Sequence, residues 1–279
     1  MHSRNEPRIA SRQSGQAAVE TALIVPMMVF MVLGIIQLGM VHNARLMTEY
    51  GAYRAVRAGI VNHGDCTLME KAALASLLPT LPPLPGQSGR VDTVDFAVQV
   101  HKKFSQRLFT SRLMKSFYTD VGLPLFRVDV LNPRKGDLEE LFGTYGAHLD
   151  SRELDYDDVR DARVIEANLL SVRLTYFYEL RIPFANWQLH SFYLGREYLD
   201  QLRGLQFENQ RVGGGSATRY LQERGRGKSA DHARIVSLAQ LGAAKRRYVM
   251  PLVATWSMRM QSNLFNNDQA GPGRCAVDG

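Results

Sequence analysis

The sequence predicts an α+β fold: a long N-terminal helix, transmembrane and then amphipathic, packed on an antiparallel β-sheet, with helical and loop insertions. Three observations support this prediction. Residues 21–41 contain no charged side chain, and about 20 apolar residues span a bilayer as a helix. Residues 43–61 continue without proline and repeat small residues at helical spacing. Three later segments alternate apolar and polar residues, which is typical of half-buried strands.

The first 15 residues form a polar leader with three arginines and one glutamate. Positive charge beside the first apolar helix predicts that this end stays in the cytoplasm. A secretory signal would have a shorter apolar region and a small-residue cleavage site after it, and residues 40–43 do not provide one. We therefore expect residues 16–42 to cross the membrane once and residues 43–279 to form a domain on the far side.

The segment Gly15-Gln-Ala-Ala-Val-Glu20, followed by the apolar run, resembles the type III signal of type IV prepilins. The stretch SRQSGQAAVETALIVP is most similar to the TadE-like pseudopilins of the tight-adherence (Tad) pilus. This resemblance implies cleavage by a prepilin peptidase between Gly15 and Gln16, and an assembly contact at Glu20. It also implies an inner-membrane location with a periplasmic domain. The implied partners are other pilins or pseudopilins, the inner-membrane platform of the pilus, and membrane lipid.

Glu20 is a lone carboxylate at the start of the apolar segment. Cleavage would create an α-amino group on Gln16, about one helical turn away. An amino–carboxylate pair offsets part of the cost of burying both charges, and the pair can form within one chain or between neighbouring subunits. The alternative is that Glu20 only marks the interfacial start of a helix, where the helix dipole favours a negative charge.

The continuation of the helix carries a stripe of small residues that lie on one helical face. Small side chains allow another backbone to approach closely. The stripe is expected to pack either on the sheet of the same chain or on neighbouring anchors in an assembly. It consists of Ala44, Thr48, Gly51, Ala52, Ala55 and Gly59.

The two cysteines, Cys66 and Cys275, both follow the anchor. An oxidising compartment permits a disulfide between them. Because sequence does not fix their geometry, a bridge and two separate thiols both stand as alternatives.

The strand patterns lie at 126–130, 172–182 and 252–260. The segments VRLTYFYELRIPF and MPLVATWSMRMQS also resemble the sheet strands of TadE-like proteins. Further helices are expected at 93–118 and 186–202. Residues 211–247 form a basic, flexible insertion with nine Lys or Arg. Such a stretch is usually a solvated loop, and the alternative is a surface for a polyanionic partner.

The sequence offers no catalytic motif and no cofactor motif. Gly227-Lys-Ser lacks the glycine that a phosphate-binding loop needs at position 222, which is Gln. His63, Asp65 and Cys66 are too few and too irregular for a zinc site. The aspartates of residues 150–161 lack EF-hand spacing.

A net charge of +7 does not by itself indicate nucleic acid, and none is expected as a partner. We expect a non-enzymatic, pseudopilin-like subunit that assembles or primes a Tad pilus. The alternative is a membrane-anchored periplasmic binding module, or an enzyme with an uncleaved anchor.

Overall fold

The computed structural model confirms the α+β fold, with one long helix packed on an antiparallel sheet. It describes residues 13–81, 124–145, 153–159, 161–207, 230–265 and 271–277. The helices are α1 (Gln13–Val61), α2 (Cys66–Leu77), α3 (Lys135–Tyr145), α4 (Ala162–Ala167), α5 (Ala185–Phe207) and α6 (Ala230–Ala244). The strands are β1 (Phe126–Asn132), β2 (Glu153–Leu154), β3 (Leu169–Glu179), β4 (Val249–Arg259) and β5 (Leu264–Phe265).

Helix α1 has 49 residues and is continuous through Pro26. Its first part is exposed on every side, whereas from Gln37 onward buried or half-buried residues recur every three or four positions. That spacing corresponds to one face of a helix. Of the described residues, only this helix is long and apolar enough to cross a membrane. The apolar N-terminal segment and the first core helix are therefore one continuous element.

Helix α2 folds back onto α1 after a tight turn. Gly64 occupies the left-handed region at φ 76° within that turn. The Asp65 carboxylate then caps α2 by accepting hydrogen bonds from the backbone N–H groups of Thr67 (2.7 Å) and Leu68 (3.3 Å). Such a cap is worth about 1 kcal/mol. Met69, Ala73, Leu74 and Leu77 of α2 are fully buried.

Strands β1, β3 and β4 form the main sheet in that order, with both pairings antiparallel. Tyr176 of β3 lies between Phe126 of β1 and Leu252 of β4. Leu174 is flanked in the same way by Val128 and Ala254. These cross-strand rows of apolar side chains form the sheet face of the core, as the alternation predicted.

Residues 271–277, near the C-terminus, are hydrogen-bonded to the rest of the domain. Val277 donates a backbone hydrogen bond to Val130 of β1 (3.1 Å). Lys135 at the start of α3 donates one to the carbonyl of Val277 (3.2 Å). This docking places the last cysteine beside α2.

The basic insertion expected at 211–247 differs from the structure over residues 230–244, which form α6 with buried Val236 and Ala239. The physical reason is that Ile235 to Ala244 carry no charge, so they can pack as a helix between the flanking cations. Residues 211–229 lie outside the described residues, as does the helix expected at 93–118. The helix expected at 186–202 corresponds to α5.

Candidate functional site

The candidate functional site is the N-terminal half of α1, where the predicted cleavage and assembly residues lie. Helical backbone runs through Gly15 and Gln16, within the described part of α1 that starts at Gln13.

Glu20 lies four residues after Gln16, so their backbones are about 6 Å apart along the axis. Every residue from 17 to 32 is exposed, and Glu20 is the only charged residue in that range. Beside it, the Thr21 hydroxyl donates a hydrogen bond to the Ala17 carbonyl of its own helix (2.8 Å). The carboxylate therefore belongs to a helix that is apolar on all sides, which is typical of a helix buried in lipid or among other helices.

Pro26 interrupts the hydrogen-bond ladder of this helix without ending it. Proline has no N–H to donate to the carbonyl of Ala22, four residues earlier. Transmembrane helices tolerate this because neighbouring helices or local adjustments satisfy the freed group.

A polar cluster marks the level at which α1 enters the folded domain. We call this cluster the collar. It consists of Gln37, Thr80, Tyr176, Tyr178 and Arg181.

Gln37 is fully buried, and its Oε1 accepts hydrogen bonds from the backbone N–H groups of Arg181 (3.1 Å) and Ile182 (2.7 Å). The Arg181 guanidinium donates to the carbonyl of Thr80 and lies 5.9 Å from the centre of the Tyr178 ring. The collar thus ties α1, the end of α2 and the end of β3 together.

Burial has the largest effect on the pKa values of the two tyrosines in the collar. The Tyr176 hydroxyl is hydrogen-bonded to Thr80 Oγ1 (3.1 Å), yet burial raises the pKa of Tyr176 to about 12. Burial also raises the pKa of Tyr178, and the nearby Arg181 cation opposes that rise. Both phenols are therefore neutral structural groups near pH 7, not acids or bases.

The sequence placed Gln37 inside the expected span at 16–42, but the structure places it in the folded domain. One signal was available: together with Thr21, Gln37 is one of two hydrogen-bonding side chains in residues 21–41. Its backbone partners lie 144 and 145 residues further along the chain, so the sequence did not reveal them.

The stripe of small residues lies against this chain's own sheet and α2. Ala44, Thr48, Ala52 and Ala55 are buried. A Cβ atom on Gly51 would lie 2.8 Å from Leu174 Cδ2, and one on Gly59 would lie 2.6 Å from Leu170 Cδ2. An added Cβ at either position would therefore force a leucine side chain of β3 to shift, and at Gly59 also the side chain of Met69 in α2. Of the two alternatives for this face, the structure contains the intramolecular one.

Cys66 at the start of α2 and Cys275 near the C-terminus are bonded as a disulfide, with their Cα atoms 5.7 Å apart. Both are buried. Glu70 lies beside them, and the three side chains are close enough to suggest a metal site. Sulfur atoms that are bonded to each other are not the thiolates that metal binding requires.

The other clusters noted in the sequence have local structural roles. The His63 ring stacks on Phe265 at 3.9 Å, and its Nδ1 lies 2.8 Å from the carbonyl oxygen of Asn263. Asp161 caps α4 through the Arg163 N–H (2.8 Å), and Asp155 accepts from the Asp157 N–H (3.0 Å). Gly227-Lys-Ser lies outside the described residues.

A comparison with known protein families finds a match over most of α1. Residues 15–57 match the family model described as TadE-like protein. The match begins at Gly15 and reaches along α1 past Ala55, so it covers less than a fifth of the chain. The TadE-like resemblance is thereby confirmed for this segment, and it is consistent with a TadE-like protein of the Tad pilus system. The resemblance of the two later strands lies outside the match and stays a prediction. No curated protein and no solved structure matches the chain.

Proposed function

We propose that this chain is an inner-membrane, pseudopilin-like subunit that helps to assemble or prime a Tad pilus. A prepilin peptidase cuts it between Gly15 and Gln16 on the cytoplasmic side, and its folded domain lies in the periplasm. The TadE-like match at residues 15–57 supports a pilus-associated subunit. Its role is structural, and the chemistry is performed on it by the peptidase.

One observation carries the proposal: a single carboxylate lies on a helix that is bare and apolar over residues 17–32. Every residue in this part of α1 is exposed, although Phe184 of the folded domain contacts Phe30, so we expect lipid or other helices to cover it. A charged side chain at the centre of a bilayer costs about 2.5–3.5 kcal/mol or more. A carboxylate in this position is therefore expected to have a functional partner.

Cleavage after Gly15 would supply such a partner. The new α-amino group on Gln16 carries a positive charge about one helical turn from Glu20. Pairing within one chain would neutralise the helix end as it moves through lipid. Pairing with the amino group of a neighbouring subunit would fix the axial register between the two helices.

The proposal is tested by replacing Glu20 with Ala or Gln in a piliated host. Both variants are expected to insert into the membrane normally and to abolish pilus assembly, because neither retains the negative charge. Thr21→Ala is the matched control, since the Thr21 hydroxyl bonds only its own helix in this structure. Normal piliation with Glu20→Ala would contradict the assembly role.

A further inference from the structure

A second apolar surface lies beside the bare part of α1, at the start of α5. The Phe184 ring contacts the Phe30 ring edge-on, with centroids 5.5 Å apart. Phe184 is nevertheless 65% exposed, and Trp187, one helical turn further on, is 58% exposed. Phe192 on the same helix is exposed as well. Of the ring contacts that α1 makes in the described part of the chain, the one between Phe184 and Phe30 lies nearest the N-terminus of the helix.

The conformation of Phe184 is strained. Its φ of 66° lies in the left-handed region, which costs a residue with a side chain about 1–2 kcal/mol. The turn that holds it is closed by the Asn186 N–H, which donates to the Ile182 carbonyl (2.9 Å). Strain of this kind is often stored at functional sites. Here the strained backbone accompanies an exposed apolar ring, that of Phe184.

The segment around these rings carries no charge. Residues 182–195 contain no Asp, Glu, Lys or Arg. An ordinary surface helix has charged residues on its outer face. An uncharged face with exposed Phe and Trp is typical of segments at the boundary between lipid and water.

The depth of Phe30 follows from helix geometry. A bilayer core of about 30 Å takes up about 20 helical residues. The core cannot begin before Arg12, because arginine at that depth is costly. It therefore extends at least to about residue 32, which is beyond Phe30. Tilting the helix would carry the far boundary further along the chain. The ring that contacts Phe30 must then lie at or within the lipid.

We propose that Phe184 and Trp187 form a second membrane contact, inserting into the leaflet on the side of the folded domain, next to the anchor. This inference rests on the proposed function only in taking α1 to span the membrane. The contact would hold the domain close to the bilayer and restrict its rotation about α1.

The chain's two tryptophans provide a matched test. Trp256 is also exposed, at 44%, but its ring packs on Tyr53, 5.7 Å between centroids. Tyr53 follows Phe30 by 23 residues, which is about 35 Å along the helix. Both indoles are thus exposed in the protein, and they differ in their expected depth in the membrane.

The full-length protein is reconstituted in phosphatidylcholine vesicles with and without bromine on the acyl chains. Wild type, Trp187→Phe and Trp256→Phe are compared. We expect the emission of Trp187 to be shifted to the blue in both kinds of vesicle and to be quenched by bromolipid, and we expect Trp256 to stay unquenched. Comparing wild type with Trp187→Phe isolates Trp187 even if Trp256→Phe fails to fold.

Equal emission from Trp187 in both lipids would overturn the inference. A blue shift that occurs without bromolipid quenching, and that disappears when the lipid-to-protein ratio is raised, would indicate that a second copy of the chain covers these rings. That result would also overturn the inference. Extraction of the same vesicles with alkaline carbonate separates the two proposals. Release of the protein would refute the anchor itself, whereas retention with an unquenched Trp187 would refute only this contact.

Discussion

The close approach of α1 to β3 at Gly51 makes a quantitative prediction for a double-mutant cycle. Among the atoms near a Cβ on Gly51, only Leu174 Cδ2 at 2.8 Å is closer than normal contact; Ser76 Cβ at 3.6 Å is not. Adding that Cβ overpacks the core, which costs about 1–3 kcal/mol. Replacing a helical glycine by alanine returns about 1 kcal/mol. Gly51→Ala alone should therefore lower the free energy of unfolding by up to about 2 kcal/mol.

Leu174→Ala removes the atom that the new Cβ would meet. It should cost about 2–5 kcal/mol alone, because Leu174 is fully buried. In that background Gly51→Ala meets no steric conflict and should stabilise the protein by about 1 kcal/mol. The two substitutions should thus be coupled favourably by about 1–3 kcal/mol.

The assay is urea unfolding of the full-length protein in detergent, followed by Trp256 fluorescence, since that ring packs on α1. Gly195→Ala in α5 is the control, because nothing lies within 4 Å of its added Cβ. It should stabilise both backgrounds equally. If Gly51→Ala had the same effect with and without Leu174, the helix would not approach β3 at this level, and the packing described above would be wrong.

Three further predictions concern the folded domain. Tyr176→Phe removes the hydrogen bond to Thr80 and should lower the free energy of unfolding by about 0.5–1.5 kcal/mol, measured by urea unfolding. Burial lowers the pKa of His190 from 6.5, so the unfolded state binds more protons as the pH falls below that value. The contribution of His190 to stability should then be constant above about pH 6.5 and decline below it by up to about 1.4 kcal/mol per pH unit, and His190→Phe should abolish that contribution. Cys66 and Cys275 close a loop of 209 residues, so reduction should cost about 5 kcal/mol in the chain-entropy account. Mass spectrometry of unreduced protein that found two alkylatable thiols would contradict the bridge.

The sequence alone predicted the helices and strands that bury one face, because such burial leaves a periodic pattern of apolar residues. The alternation around Leu174 and Tyr176 predicted β3, and the register of β3 with β1 and β4 confirmed the antiparallel arrangement. It failed at Phe177, which is buried although it lies on the opposite face from Tyr176. Periodicity shows which residues can face a core, but not whether a second layer covers the other side.

Polar contacts between residues far apart in the chain also could not be predicted from the sequence. Gln37 is a polar residue within the apolar run, but only the fold brings the backbone of Arg181 to it. The strands β2 and β5 have two residues each, which is too short for a period of two to be recognised. The proposed cleavage site after Gly15 and the proposed assembly contact at Glu20 are the reverse case. They are defined by their order along the chain, so the sequence predicts them without the fold.

The N-terminal residue of the protein extracted from its own membrane tests the central proposal most directly. The account predicts that Edman sequencing or intact mass finds a chain beginning at Gln16, and that disabling the host's prepilin peptidase restores Met1. A chain that begins at Met1 while the peptidase is active would contradict the pseudopilin assignment. It would favour instead an anchored binding module or enzyme that keeps its leader.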